Sequence, residues 1–218
     1  MSRRASPAED LAAQIAHVAS RASGGLFALR SYRPRAARAP HETVIERLGA
    51  HAQRVAVVTD HGAMRAAALM VPGEDGAAAL FGPKGPLDPQ VLGRAVAAFA
   101  AGSEGLVTVL DVAYGVLDRL EPTPPSGGGA WHVELLGRWG GPCGAMLEVR
   151  MPGDRALGPL IHCVQHARGV RVTAAVRAPS GRLVPPAAEP RAPAWDLVDA
   201  AVVEQVLPEL AAATRALA

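Results

Sequence analysis

The sequence is poor in several features that mark particular protein classes. It holds two cysteines in 218 residues, Cys143 and Cys163. Two cannot build a disulfide framework, and such scarcity suits a reducing compartment. Aromatic residues are 4% of the chain, which leaves little material for stacking on bases. Lys84 is the sole lysine, and the formal net charge is +2. That balance argues against a dedicated nucleic-acid binder. Arginine in place of lysine, with abundant Ala, Gly and Pro, reads as the codon bias of a high-GC bacterial genome. Most arginines are then ordinary surface charge. No apolar run reaches the ~18 residues of a membrane span. Met1-Ser2-Arg3-Arg4 leads straight into polar residues, so neither a membrane segment nor a secretory leader is expected, and the cytoplasm is the expected compartment. There is no Walker A sequence, no G-x-G-x-x-G after a strand, no G-x-S-x-G, no H-E-x-x-H and no C-x-x-C.

Half of the residues are hydrophobic, as in a globular protein. A fold of this length buries roughly 70% of the surface of its unfolded chain, so its core needs no disulfide or metal. Ser6-Pro7-Ala8-Glu9 reads as a capping box, with Leu11, Ile15 and Val18 at helical spacing to about Ser20 and Gly24-Gly25 as the stop. Leu26 to Tyr32 reads as a strand, and a second helix is expected over Glu42 to Ala52. Arg54–Thr59, Met64–Val71 and Ala77–Phe81 read as a meander with short Gly/Asp turns. Asp88 and Pro89 open a helix to about Ala101. Leu106 to Leu110 reads as a buried strand and Val112 to Leu120 as a helix. The Pro/Gly stretch 121–129 is the expected boundary between domains at 1–125 and 126–218. Trp131–Leu136 and Ala145–Met151 alternate as strands, 154–168 is expected to be helical, and Val170–Val176 a strand. An apolar stripe of Trp195, Val198, Val202, Val206 and Leu210 ends the chain, with Pro208 expected to kink it. The fold class is α/β (α+β): a mixed, mostly antiparallel sheet flanked by helices, with a smaller C-terminal α+β part.

This element order resembles the GNAT acyltransferase superfamily over about residues 1–136. The opening Arg4-Ala5-Ser6-Pro7-Ala8-Glu9-Asp10-Leu11 is similar to the start common in those enzymes. The resemblance implies acyl-CoA as co-substrate and transfer of an acyl group to an amine. The pyrophosphate would be held by Gly82, Lys84 and Gly85 at the N-terminus of the helix opened by Asp88. Tyr114 would be the general acid, and Asp111 stands where the family often has Asn. The family's turn reads Q/R-x-x-G-x-G/A, whereas this one reads G-P-K-G-P-L-D-P. Pro83, Pro86 and Pro89 each remove an N–H.

Other constellations have simpler readings beside the chemical ones. On a helix, His162 and His166 share a face at metal-chelating spacing, with Cys143, His132 or Glu148 as further ligands if the fold gathers them. Exposed histidines are the preferred reading, and no metal is expected. Free Cys163 reads as a small core residue. Asp60-His61 is what a tight turn selects. Glu134 and Glu148 could be paired carboxylates, but salt pairs with Arg150 and His132 on a wet sheet face are simpler. Arg30, Arg33, Arg35 and Arg38 read as a solvated loop edge. The C-terminal stripe either covers its own sheet or docks a partner subunit, for which a homodimer is the first expectation. The rival to acyl transfer is therefore a non-catalytic binding or assembly protein using that helix.

Overall fold

The computed structural model describes residues 5–32, 41–61, 64–72, 78–82, 86–123, 125, 129–136, 144–151, 155–177, 183–184 and 194–217. The order helix, five strands, helix occurs twice. The first set is α1 (Pro7–Ser23), β1 (Leu26–Tyr32), β2 (His41–Leu48), β3 (Gln53–His61), β4 (Met64–Pro72), β5 (Ala78–Phe81) and α2 (Pro89–Gly102). The second is α3 (Val109–Leu120), β6 (Ala130–Leu136), β7 (Gly144–Met151), β8 (Arg155–His166), β9 (Gly169–Ala174), β12 (Ala194–Leu197) and α4 (Ala200–Leu217). A two-stranded ribbon, β10 (Val176–Arg177) with β11 (Leu183–Val184), is inserted before β12. The two large sheets run β1-β2-β3-β4-β5 and β12-β9-β8-β7-β6, and every pairing described is antiparallel. The α+β class read from the sequence holds. Among the described residues, no helix is long and apolar enough to cross a membrane.

α1 forms as expected. Ser6 Oγ accepts from Glu9 N, Glu9 Oε2 accepts from Ser6 N, and Gly24 ends the helix at φ 69°. Leu11, Ile15 and Ala19 bury one face against the first sheet. α2 lies beside α1 on that sheet, and Gly93 is the point of closest approach. A Cβ there would stand 2.5 Å from Val18 Cβ and 2.9 Å from the Ile15 carbonyl oxygen. On an exposed helix, Gly→Ala gains up to about 1 kcal/mol. Gly93→Ala should have the opposite sign and lose about 1–3 kcal/mol, because the stiff Val18 side chain and the Ile15 carbonyl block the methyl. Urea denaturation reads this directly; a stabilised variant would show that α1 and α2 separate freely.

Four sequence expectations are corrected. Glu42 to Ala52 is not a helix but β2 and its turn, because Glu42, Val44 and Glu46 alternate with Thr43, Ile45 and Arg47, and β-branched residues fit a pleated surface. Leu106 to Leu110 is not a strand. Thr108 caps α3, with Asp111 returning a bond to Thr108 N at 2.8 Å, so the apolar run is the approach and first turn of a helix. Residues 154–168 are not helical. Pro159 sits inside them, a helix there would lose a hydrogen bond, and β8 instead crosses the proline at a register shift. Trp195 belongs to β12, and α4 starts only at Ala200. α4 runs unbroken through Pro208, held down by buried Val203, Leu207, Leu210 and Ala211. Of the C-terminal apolar stripe, Leu210 is buried with α4 packed on α3, whereas Val198 and Val202 stay exposed.

α3 is the pivot. It packs on the second sheet and also reaches β3 of the first. Gln165 fixes the approach to it: its side chain accepts from Val109 N and donates to the Val107 and Gly169 carbonyls. From the other side, Gln53 donates to the Ser103 and Leu106 carbonyls.

Candidate functional site

α3 is buried almost all round, yet it carries Asp111, Tyr114 and Asp118 at helical spacing i, i+3, i+7. That polar stripe faces the first sheet. Arg54 is its main partner. Its guanidinium lies 2.9 Å from Asp118 and donates to the Asp111 carbonyl at 3.0 Å. Its backbone N–H donates to Asp111 Oδ1 at 2.6 Å. Arg54 Nε stands 3.1 Å from Glu46 Oε1 but is not aligned for a hydrogen bond, so that contact is a Coulombic one. Asp118 also accepts from Tyr32 Oη at 2.8 Å and pairs with Arg30 at 2.9 Å. The Tyr32 and Tyr114 rings meet at 5.0 Å, and Tyr114 Oη donates to Glu42 Oε2 at 2.9 Å. One connected polar chain therefore runs from Arg54 to Glu42 through the core.

The strands explain the aim of each group. Arg30 and Tyr32 alternate on β1, as Glu42 and Glu46 do on β2, so all four share the face opposite α1. A register shift after Ile45 puts Arg54 across from Glu46 on that face. Burial pushes Glu42 up to about 7, with the Tyr114 bond only partly opposing it. Burial raises Asp111 to about 6 against the donors of Arg54 and Thr108. Burial opposes the Arg54 charge, but the acidic groups around it outweigh burial and raise its pKa. Tyr114 is raised well above the ordinary tyrosine value by burial and by Glu42.

Outside this chain lies a cleft of about 580 Å³ between the two halves. Its floor includes Arg54, Asp111 and Asp118, and its walls are the β2–β3 turn 49–52, the α2–α3 link and the first turn of α4. No family model, no curated protein and no solved structure matches this chain. Its site is therefore read from geometry alone.

Of the residues expected at a CoA site, Gly82 and Tyr114 are described. Gly82 is an exposed residue after β5, while Lys84 and Gly85 lie outside the described residues. The α2 N-terminus is capped by Asp88, whose Oδ1 accepts from Gln90 N at 2.8 Å. Tyr114 is fully buried. His162 and His166 sit on a strand, so four residues separate them by roughly 13 Å rather than one helical turn. Burial lowers the His162 pKa. Among the described residues, no group of three or more His, Cys, Asp or Glu could hold a metal ion. Cys163 is in the core, and burial pushes its thiol up to about 12. Cys143, Arg33, Arg35 and Arg38 are outside the described residues. Asp60 and His61 end β3 at its turn. His132 does pair across strands with Glu148, whereas Glu134 faces Met146, not Arg150. Arg54, Asp118 and Tyr32 were missed. The signal was present as Asp111, Tyr114 and Asp118 on one face of an otherwise apolar helix, a stripe that needs a buried cation.

Proposed function

We propose that the protein is a non-catalytic binding and assembly protein, and that the rim of the 580 Å³ cleft docks a second copy of the chain. The observation that carries this is the make-up of the rim. Leu48, 46% exposed, adjoins the lining residue Gly49, and Leu26, 70% exposed, lies directly across from it on β1. On the opposite wall, exposed Val202 adjoins the lining residue Val203. Both halves thus offer unburied large apolar side chains around one depression, as interfaces do. Both charge signs are there too, Arg30 and Glu104, beside an Arg119–Glu204 pair at 2.7 Å. A two-fold contact needs a patch that complements itself, and a patch of mixed sign does so. With few cysteines, the cytoplasm is the compartment that fits.

The competing reading is acyl transfer from acyl-CoA, with Gly82, Lys84 and Gly85 at the pyrophosphate and Tyr114 as acid. It needs open amides at the α2 N-terminus and a tyrosine within reach of a ligand. Asp88 takes the first, and burial on Glu42 closes off the second. Sedimentation equilibrium should find a dimer of the wild type and a monomer of Leu48→Glu/Val202→Glu. A wild-type monomer at every concentration into the hundred-micromolar range sinks the docking proposal. Calorimetry with acetyl-CoA should show no heat of binding; micromolar binding would restore the acyltransferase reading.

A further inference from the structure

The polar chain ends at Glu42, and beyond Glu42 lies a second cleft of about 350 Å³ between β3–β4 and β6. It is at the small end of the about 300–1,000 Å³ range of ligand pockets. The sheet register builds one wall: Glu42, Thr59 and Ala66 form a cross-strand row, followed by Val57 with Ala68. Val133 and Leu135 come from β6, with His132 and Glu134 beside them. The walls are therefore mostly apolar, and one carboxyl is set into them. Glu42 is 6% exposed, and its Oε2 accepts from Tyr114. Oε1 accepts from no described residue, and Glu42 lines the cleft. Among the described residues Glu42 has one hydrogen bond and no cation, and such a carboxylate is costly in these surroundings.

We propose that this cleft binds a protonated organic amine with a small apolar body, and that Glu42 is its counter-ion. An ammonium brings three donors. Glu42 Oε1 and Thr59 Oγ1, neighbours on the same row, supply acceptors, and the alanine and valine walls take the hydrocarbon. The titratable groups facing Glu42 are Tyr32 on β1, Tyr114 on α3, and His132 and Glu134 on β6. The site is independent of the docking rim and of the oligomeric state.

Because burial pushes the carboxyl up to about 7, the amine must displace a proton at lower pH. Affinity for benzylammonium, followed by NMR titration, should rise about tenfold from pH 6 to pH 8 as the ionised fraction grows. Benzyl alcohol should bind at least tenfold more weakly, and Glu42→Gln should lose tenfold or more together with the pH dependence. Calorimetry of the wild type at pH 6.5 in two buffers of different ionisation enthalpy should show proton release. Equal binding of benzyl alcohol, an unchanged Glu42→Gln variant, or no binding at millimolar benzylammonium would each overturn the proposal. The proton release keeps the test valid if the variant folds poorly.

Discussion

Arg54→Ala should destabilise the protein by about 3–5 kcal/mol, the cost of removing one partner from a buried ion network. Arg54 and its partners Asp118 and Glu46 are each between 12% and 13% exposed. Removing the guanidinium leaves those carboxylates, and Asp111, facing one another without their central cation. Arg30 still reaches Asp118, but it is half exposed and screened by solvent. The loss also reaches beyond one contact. Arg54 belongs to β3 of the first sheet, while Asp111 and Asp118 belong to α3, which packs on the second. Weakening it should loosen the junction between the halves. Urea denaturation at pH 7 reads the size of the effect. As pH falls through about 6, Asp111 takes up a proton and loses its need for the cation, so the deficit should shrink. Arg54→Lys should recover part of it, since the charge returns without the second arm that reaches the Asp111 carbonyl. A loss below 1 kcal/mol would show that the network is wet and the halves are held by apolar packing alone.

The parts of this arrangement that were legible in the sequence are the local ones. Ser6 with Glu9 and Asp88 with Pro89 announce helix starts, and the structure has both. The strand at Trp131 follows from alternation, and the one at Met64 from short runs between Gly/Asp turns. What misled was apolar spacing read without its punctuation. Leu157, Leu160, Ile161 and Val164 fit a helical stripe, yet Pro159 among them excludes a helix interior. Leu106 to Leu110 is apolar enough for a buried strand, yet Thr108 and Asp111 form a cap. With β2 read as a helix and Trp195 assigned to the C-terminal helix, these errors hid the repeated helix–five strands–helix order. The site was only half legible. Asp111 and Tyr114 were singled out by resemblance, but their partners Glu42, Arg54 and Tyr32 are 57 to 82 residues away. Such pairs are set by sheet register, and register depends on a bulge after Ile45 that no local pattern reveals.

Glu42→Gln should flatten the pH dependence of stability between pH 4.5 and pH 8. Glu42 in the folded protein takes up its proton at about 7 against an ordinary 4.5, with burial as the cause. The folded state therefore holds a proton that the unfolded chain gives up. Its stabilising contribution is complete below the unfolded value and disappears as pH rises through the folded one. Between pH 4.5 and pH 8 the wild type should lose on the order of 3 kcal/mol from this group. Glutamine does not titrate, and its carbonyl still accepts the Tyr114 hydroxyl. The variant should thus match the wild type near pH 5 and exceed it in stability at pH 8. Asp111, also raised by burial, is present in both proteins and cancels from the difference. Urea melts of the two proteins at pH 5, 6, 7 and 8 decide the matter: curves that stay parallel would mean that Glu42 is ionised throughout and already has a cation. Benzylammonium should then act selectively. At pH 8 it should stabilise the wild type, by supplying the missing positive charge, and leave Glu42→Gln unchanged. A selective gain would identify the strain at Glu42 as the cost of keeping an amine site ready.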